Sequence, residues 1–341
     1  MGFLRRKSTL LGLDLGSESI KAVEVVREKD RLKVIGFGKV DVPSAEARAD
    51  ALNDLIKHCT FKTRRVATAV SGRSVIVRFL NMVDIPDENL KTAIRFEADR
   101  YIPFDLKDVL LDCHRIEDAP GVAANEMKLL LVAVKREVVD EQLKMVQNAG
   151  LVPNVVDVDA FALSNVFALG GPTYEMAAGK VVALVDVGAT KTVVNIVRGA
   201  ESHFTREVYL GGNEITNAIA KRFGVETFEG EQLKRAPGSR EAEIAEAVLP
   251  SLEDLGNEIH LSFDYYENQA DSKVEEVFVS GGASRVAGLE ETFERIFERK
   301  TMNWNPLEGF DLDDSSLDHD ALLECAPALG VAAGLAARVL G

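Results

Sequence analysis

The chain has 341 residues and carries 40 Lys and Arg side chains against 55 Asp and Glu, a formal net charge of −15. This charge argues against a nucleic-acid-binding protein, which needs a basic face for the phosphates. The three cysteines lie far apart without a CxxC pair or a Cys/His cluster, so neither a disulfide framework nor a zinc site is indicated. No signal peptide and no apolar run of ~18 residues is found, so we expect no direct membrane insertion.

The first part of the chain predicts a meander of three strands, then a helix and a further strand. Apolar residues run through the strands and repeat at helical spacing in the helix. The strands are expected at 10–14, 20–26, 31–40 and 65–70, and the helix at 49–58.

The next segment, 74–150, has a different character. It reads as a strand, a helix, two strands joined by a loop around Pro120-Gly121, and a second helix. This order predicts a small α+β unit inserted into the preceding domain. The elements are expected at 74–83, 86–101, 109–116, 128–134 and 137–149.

The remainder begins with a strand, a helix and a glycine-containing linker, and then repeats the opening meander. The strands are expected at 155–158, 181–186, 192–198, 202–210 and 276–280, and the helices at 160–169, 214–223, 251–266, 284–299 and 326–340. The last helix is rich in alanine and glycine. Such small residues allow backbones to approach closely, so we expect this helix to be buried.

One acidic turn occurs twice, as Asp14-Leu15-Gly16-Ser17 and as Asp186-Val187-Gly188-Ala189, each between two apolar strands. A single Asp-x-Gly sequence usually marks an ordinary hairpin. Two copies in two similar units instead predict two related lobes that face each other across a cleft.

The residue types of these turns suit a phosphate chain with a divalent metal. Glycine lets backbone N–H groups approach phosphate oxygens, and hydroxyl groups can donate further hydrogen bonds. The two aspartates would repel phosphate unless a hydrated Mg²⁺ lay between them. Either of two lysines, Lys21 or Lys191, could offset phosphate charge.

Two further glycine pairs could contribute. A strand at 276–280 is followed by Gly281-Gly282 and the start of a helix, which offers backbone donors to an anion or a flat ring. Gly211-Gly212 is a weaker signal that equally fits a plain connection. Neither a P-loop, nor a G-x-G-x-x-G after the first strand, nor a G-x-S-x-G is present.

In order and spacing, the segments 11–21, 184–192 and 277–285 resemble the two phosphate loops and the adenosine loop of the actin-like ATPase superfamily. This superfamily includes actin, the large heat-shock chaperones, sugar kinases and FtsA. The resemblance covers nearly the whole chain. It implies an α/β fold of the duplicated, ribonuclease H-like type, with two lobes around a nucleotide cleft.

A closer resemblance is to the PilM family of type IV pilus assembly proteins. It rests on the basic residues 3–7 before the first turn, on 96–104 and on Trp304-Asn305-Pro306-Leu307. The insertion resembles the extra α+β subdomain of PilM and FtsA. The implied division assigns 1–73, 151–178 and 325–341 to the first lobe, 74–150 to the insertion, 179–211 and 272–324 to the second lobe, and 212–271 to a helical and mixed subdomain of the second lobe.

The resemblance also implies a function. Members of this family are expected to hold ATP and Mg²⁺ in the cleft and to act at most as weak ATPases. They are expected to bind the N-terminal cytoplasmic peptide of a PilN-like bitopic membrane protein in a groove beside the insertion. Their implied place is the cytoplasm, peripheral to the inner membrane through that partner, in pilus biogenesis and twitching motility. Self-association is a further expectation.

By motif position, the resemblance assigns roles to individual residues. Asp159 stands where relatives carry a Glu or Gln that orients the attacking water, and Asp is shorter. Glu231 and Lys234 fall where relatives touch adenine or ribose, although solvated helix charges fit them equally. Phosphate and Mg²⁺ contacts fall to Asp14, Gly16, Ser17, Ser19, Lys21, Asp186, Gly188, Thr190 and Thr192, and nucleoside contacts to Gly281, Gly282, Ser284 and Arg285. Gly211 and Gly212 are further expected to contact the cofactor.

Two other functions remain open at this point. A small-molecule kinase on the same fold would need an acceptor pocket with a base, and no motif indicates one. A division-type filament anchor like FtsA ends in a flexible linker and an amphipathic membrane helix. Here 336–341 reads as part of a domain helix, so we expect any membrane location to depend on a partner.

Overall fold

The computed structural model describes residues 8–29, 31–116, 123, 125–313 and 317–340. The basic residues 3–7, the Pro120-Gly121 loop and Gly341 lie outside the described residues.

The strands of the described residues cover both meanders and the insertion. In chain order they are β1 (Thr9–Leu15), β2 (Ser19–Glu28), β3 (Arg31–Asp41), β4 (Arg65–Val70), β5 (Val75–Val83), β6 (Val109–Ile116), β7 (Glu126–Lys135), β8 (Val152–Val158), β9 (Val181–Val187), β10 (Thr192–Arg198), β11 (Glu201–Val208), β12 (Glu276–Ser280), β13 (Lys300–Asn303) and β14 (Asp311–Leu312).

The α-helices of the described residues cover the sheets and connect the strands. They are α1 (Arg48–His58), α2 (Asp87–Glu97), α3 (Arg136–Asn148), α4 (Asp159–Phe167), α5 (Pro172–Met176), α6 (Gly212–Phe223), α7 (Thr227–Arg235), α8 (Glu241–Ala270), α9 (Leu289–Phe297), α10 (His319–Cys325) and α11 (Gly330–Ala337).

These strands form three sheets, ordered β14-β3-β2-β1-β4-β8, β11-β10-β9-β12-β13 and β5-β7-β6. In the first two sheets an antiparallel meander continues into parallel strands, β4 and β8 beside β1, and β12 and β13 beside β9. The third sheet is antiparallel throughout. The repeated strand–turn–strand pattern of the sequence therefore produces two sheets of matching topology.

Helix α11 lies in the core of the first sheet, and all its residues are buried. Its close approach depends on glycine on both sides. A Cβ at Gly12 in β1 would lie 2.5 Å from the backbone nitrogen of Ala336, and a Cβ at Gly334 would lie 2.5 Å from the carbonyl carbon of Ala162 in α4. The expectation that this alanine-rich helix is buried is confirmed.

The β5-β7-β6 sheet is covered by α2, whose Leu90 and Ile94 pack on Leu129 and Leu131. Helix α3 follows this sheet in the chain but packs in part on the first sheet. Its Val146 belongs to the core beneath that sheet. The side-chain amide of Gln142 donates to the carbonyl oxygen of Ala69 over 2.8 Å.

Several expected elements differ from the structure. Helix α8 has 30 residues and continues through Pro250, where the sequence analysis starts a helix only at 251. Helix α9 begins at Leu289 rather than 284, because Ser284 closes a turn onto Gly281 and Gly288 has a left-handed φ of 81°. Helices α5, α7 and α10 and strands β13 and β14 were not expected. The helix expected at 326–340 begins with a 3-10 turn at Ala326–Leu329, and α11 covers only Gly330–Ala337.

Among the described residues, one helical segment is long and apolar enough to cross a membrane. It is His319–Ala337, of which 67% is buried inside the protein. The segment passes on its mean hydropathy, although Asp320 and Glu324 interrupt its apolar residues. Its composition and burial are those of a core helix.

Candidate functional site

The two repeated turns meet across the gap between the first two sheets. We call residues 14–19 the first turn and residues 186–192 the second turn. The hydroxyl of Thr190 donates to the hydroxyl oxygen of Ser17 over 3.1 Å. The side-chain amide of Asn213 donates to Glu18 over 3.3 Å. The residues of each pair are more than 170 positions apart in the chain. The fold therefore brings together the two turns that share the repeated acidic motif.

In the first turn an ion pair closes the hairpin. Asp14 and Lys21 are register partners in β1 and β2, and the Lys21 ammonium lies 2.9 Å from the Asp14 carboxylate. Burial lowers the pKa of Lys21, but attraction to Asp14, Asp186 and Asp159 outweighs it, so the pKa is raised overall. A Cβ at Gly16 would lie 2.7 Å from the carbonyl oxygen of Ser19, which makes glycine necessary there.

In the second turn Asp186 lies at the centre of the charged groups. Burial raises its pKa to about 6, helped by the carboxylates of Asp14 and Asp159 and opposed by Lys21 and by the Ser280 hydroxyl. That hydroxyl donates to the Asp186 carboxylate over 3.0 Å. Ser280 ends β12 beside Asp186 in β9, so strand pairing holds the two side chains together.

Asp159 is the first residue of α4 and faces the second turn. The Lys191 ammonium lies 2.9 Å from Asp159 and 2.8 Å from Glu207. Burial raises the pKa of Asp159 although Lys191 opposes the shift. The pKa of Lys191 is raised because its two carboxylate partners outweigh the effect of burial. The residue expected to orient water is thus already engaged with a lysine.

The Gly281-Gly282 loop is fixed against the second turn. The Ala283 amide donates to the carbonyl oxygen of Val187 over 3.1 Å, and Gly281 has a φ of 101° that suits glycine alone. A Cβ at Gly282 would meet nothing within 4 Å. The Ser284 hydroxyl is buried and has no hydrogen-bond partner within the part of the chain that the structure describes. Arg285 instead donates to the carbonyl oxygen of Glu324 over 3.3 Å. A ligand could therefore approach the backbone of this loop at Gly282 and accept a hydrogen bond from the Ser284 hydroxyl.

The Gly211-Gly212 pair packs directly on the second turn. The amide of Gly212 donates to the Gly188 carbonyl oxygen over 2.8 Å, and the amide of Gly211 donates to Glu214 over 2.8 Å. A Cβ at Gly211 would lie 2.6 Å from that same carbonyl oxygen. Both amides donate hydrogen bonds within the protein. The two glycines allow the start of α6 to pack closely against the second turn.

Glu231 and Lys234 of α7 are joined to the start of α6. The Lys234 ammonium lies 2.5 Å from Glu231 and donates to the Thr216 hydroxyl over 2.8 Å and to the Gly212 carbonyl oxygen over 3.1 Å. Burial lowers the pKa of Lys234 even though Glu231 opposes the shift. Only 7% of the Lys234 side chain is exposed. The reading of this lysine as a solvated charge was therefore wrong.

One expected phosphate ligand, Thr192, has a hydrogen-bond partner within the protein, and two contributors to the charged region were not expected from the sequence. Thr192 is fully buried, and its hydroxyl donates to the Leu210 carbonyl oxygen over 2.9 Å. Ser19 lies at the start of β2, and its contact with phosphate stays a prediction. The structure adds Glu207 and Ser280 to the charged region and places the expected Lys191 beside Glu207. The sequence flagged Lys191 by its place in the second turn, but strand ends such as Glu207 carry no such signal.

The donor set suits a hydrated cation. Among the residues that the structure describes, no three His, Cys, Asp or Glu side chains are grouped to hold a metal ion. Asp14 and Asp186 nevertheless supply two interacting carboxylates, one from each of the two turns that carry the hydroxyls of Ser17 and Thr190. Mg²⁺ keeps most of its waters and takes few protein carboxylates, so this arrangement fits Mg²⁺ better than a closed protein cage.

Comparison with known proteins gives concordant results. The family model of the type IV pilus assembly protein PilM matches residues 12–340. A chain of the solved PilM-PilN type IV pilus biogenesis complex is similar with a TM-score of 0.84 and 28% identity, covering 97% of this chain and 98% of that chain.

More distant similarities extend to other proteins. The ethanolamine utilization protein EutJ from Carboxydothermus hydrogenoformans has a TM-score of 0.57 and 15% identity, covering 96% of this chain and 89% of that chain. The cell division protein FtsA of Bacillus subtilis (strain 168) is 21% identical over 307 residues, which are 78% of this chain and 67% of FtsA. The expected actin-like ATPase fold is confirmed.

Proposed function

Because the chain belongs to the PilM family of type IV pilus assembly proteins, we propose that it is an ATP-binding scaffold of the inner-membrane assembly complex of these pili. In this proposal it works in the cytoplasm and is held at the membrane by the N-terminal peptide of a PilN-like protein. Family membership favours this role over a sugar kinase or a division filament. The lobe and subdomain boundaries given above are part of the proposal.

One observation carries the nucleotide part. Two glycine-bearing acidic turns from different sheets lie within hydrogen-bonding distance of each other, through Ser17 and Thr190 at 3.1 Å. A ligand between them would meet backbone N–H groups and hydroxyls from both sides. The open backbone at Gly282 and the unpartnered Ser284 hydroxyl fit a nucleoside at the adjoining loop.

The charges assign roles to individual residues. Asp14 and Asp186 would hold Mg²⁺ through its waters, and the metal would neutralise part of the triphosphate charge. Lys21, now paired with Asp14, would face the phosphates. Asp159 is shorter than Glu and is bonded to Lys191, so it is poorly free to orient water. We therefore expect tight binding with at most slow hydrolysis.

Calorimetric titration with Mg²⁺-ATP tests this proposal. Asp14→Ala and Asp186→Ala should each weaken binding at least about tenfold, which corresponds to about 1.4 kcal/mol. Asp311→Ala is the matched control, because Asp311 makes a surface ion pair with Arg31 far from the turns in the first sheet. Circular dichroism checks that each variant is folded. Unchanged affinity in both turn variants would refute the nucleotide proposal.

For the peptide we propose a groove on the surface of the insertion, beside the start of α3. A cavity of about 540 Å³ opens there, which is of the size that ligand pockets have. The Lys135 ammonium lies 5.1 Å from the ring centre of Phe104 on its wall. Its lining mixes both charges with apolar surface and comprises Phe104, Asp105, Lys107, Asp108, Lys135, Arg136, Glu137 and Asp140.

Fluorescence anisotropy with a labelled N-terminal peptide of the PilN-like protein from the same genome tests the groove. Arg136→Glu should weaken binding about tenfold, because the variant reverses a charge at the start of α3. Lys221→Glu, an equal change at an exposed position of α6, should leave the affinity unchanged. Equal affinity of both variants and the parent would place the peptide elsewhere and refute this groove.

A further inference from the structure

Three consecutive residues at the entrance to the insertion are held by side chains at the cleft. Ser71, Gly72 and Arg73 connect β4 of the first sheet to β5 of the inserted sheet. The Ser71 side chain lies close enough to the Asp159 carboxylate to lower the pKa of Asp159. The Gly72 amide donates to both carboxylate oxygens of Glu207, over 2.9 Å and 3.0 Å. The Arg73 guanidinium lies 4.8 Å above the Tyr209 ring.

Lys191 of the second turn joins two of these anchors. Its ammonium lies between Asp159 and Glu207, at 2.9 Å and 2.8 Å. Tyr209 completes the set, since its hydroxyl donates to Glu207 over 3.0 Å. We call Lys191, Asp159, Glu207 and Tyr209 the Lys191 network. It joins the second sheet, the start of α4 and residues 71–73, which lead into the insertion.

The network carries more negative than positive charge. One ammonium serves two carboxylates that are each no more than 21% exposed. Attraction to Lys191 and donation from Gly72 and Tyr209 lower the pKa of Glu207 although burial opposes them. The Glu207 carboxylate is thus held by one cation and two neutral donors. Any competing anion that attracts Lys191 leaves Glu207 with the Gly72 amide and the Tyr209 hydroxyl alone.

We infer that the Lys191 network couples phosphate occupancy of the cleft to the position of the insertion. A terminal phosphate bound between the turns draws the Lys191 ammonium away from Asp159 and Glu207. The two carboxylates then lose their common cation, and the hydrogen bonds from the Gly72 amide to Glu207 rearrange. This inference rests on the proposed nucleotide binding, and it assigns Glu207 as a positioning residue that touches neither nucleotide nor peptide.

The backbone at the entrance can follow such a change. Gly72 has a φ of 90°, and no atom lies within 4 Å of the place where a Cβ would be, so this residue can rotate without steric conflict. The strand that follows, β5, is an edge strand of the inserted sheet and also contacts β11, which carries Glu207. A shift at residues 71–73 therefore acts at the base of the sheet.

Hydrogen exchange of the full chain, read by mass spectrometry over 71–83, tests the inference. In the parent protein, saturating Mg²⁺ with a non-hydrolysable ATP analogue should speed exchange at 72–74 at least threefold. Glu207→Gln removes the charge that holds Lys191, so the nucleotide should change exchange there less than 1.5-fold. Glu258→Gln is the matched control, because it breaks an ion pair with Arg206 next to Glu207 on the same strand. This control should keep the full response.

Calorimetry on the same samples separates the two proposals. If the nucleotide binds and exchange at 72–74 stays unchanged, or if Glu207→Gln responds like the parent, the coupling is refuted and the nucleotide proposal stands. If no nucleotide binds, the function proposal fails. In that case hydrogen exchange of Lys191→Met without nucleotide tests the Lys191 network by itself. Faster exchange at Gly72 than in the parent supports the network, and equal exchange refutes it.

Discussion

The contact of α11 with α4 allows a prediction whose size follows from the structure. We predict that Gly334→Ala destabilises the protein. The new Cβ would lie 2.5 Å from the carbonyl carbon of Ala162 and closer still to its oxygen. Both groups are backbone, so no side chain can move aside. Helix α11 and the start of α4 must separate by about 1 Å to restore normal contact distances.

Two opposing effects set the magnitude. Overpacking of a rigid core costs up to about 3 kcal/mol. Replacing glycine by alanine inside a helix returns about 1 kcal/mol. We therefore expect a net loss of about 2 kcal/mol. Gly330→Ala in the same helix is the control, since its Cβ would meet chiefly the flexible end of Leu163 at 3.0 Å. The control should lie within about 1 kcal/mol of the parent.

Urea unfolding followed by tryptophan fluorescence measures the difference. The chain has a single Trp, Trp304, which is 2% exposed and lies with its ring centre 5.5 Å from that of Phe167 in α4. Its emission therefore reports the integrity of the same core. If Gly334→Ala unfolds at the same urea concentration as Gly330→Ala, the account of close backbone packing is refuted.

Three further outcomes are expected. Burial and nearby cations lower the pKa of His203 to about 4, below its value near 6.5 in the unfolded chain. The free energy of unfolding should thus fall by about 2 kcal/mol as the pH drops from 6.5 to 4. In urea unfolding at several pH values, His203→Gln should lose less stability over this range; a loss equal to that of the parent would contradict the prediction. Gly281→Ala should lower the melting temperature, because its Cβ would lie 2.5 Å from the Val187 nitrogen. Gly282→Ala should keep the melting temperature of the parent and weaken Mg²⁺-ATP binding; equal melting temperatures of the two variants would argue against this prediction. Pro250→Ala in the exposed middle of α8 should stabilise by about 1 kcal/mol or more in thermal unfolding by restoring a helix hydrogen bond, and a loss would contradict that.

The sequence was informative where a pattern is local. Both acidic turns, the strands around them and the buried helix α11 follow from apolar runs, glycine and small residues. The start of α9 was wrong because Ser284 to Gly288 form turns that close on the preceding glycine loop. The length of α8 was wrong because tertiary packing overrides the local penalty at Pro250. Burial of Val248 and Leu252 on either side holds this helix together.

The candidate site shows the same division. Asp14, Asp186 and their glycines are visible in the chain because they repeat. The contacts of Lys191 with Asp159 and Glu207 join residues from α4, the second turn and β11. No periodicity encodes such contacts, since they depend on how the lobes are placed. Thr192 shows why the expected phosphate ligands could not all be chosen from the sequence. A hydroxyl that could bind phosphate can equally donate to a main-chain carbonyl oxygen, and the Thr192 hydroxyl does so.

The packing of β1 against α11 has a consequence for biosynthesis. Gly12 faces Ala332, so this contact joins positions 320 residues apart in the chain. At 5–20 residues per second, the ribosome needs roughly 16 to 64 seconds between the two. During that time the first strands are made but their helix is not, and their apolar face is available to chaperones. The strands of the second sheet are much closer together in the chain, so this sheet can fold before α11 is synthesised and the first sheet is complete.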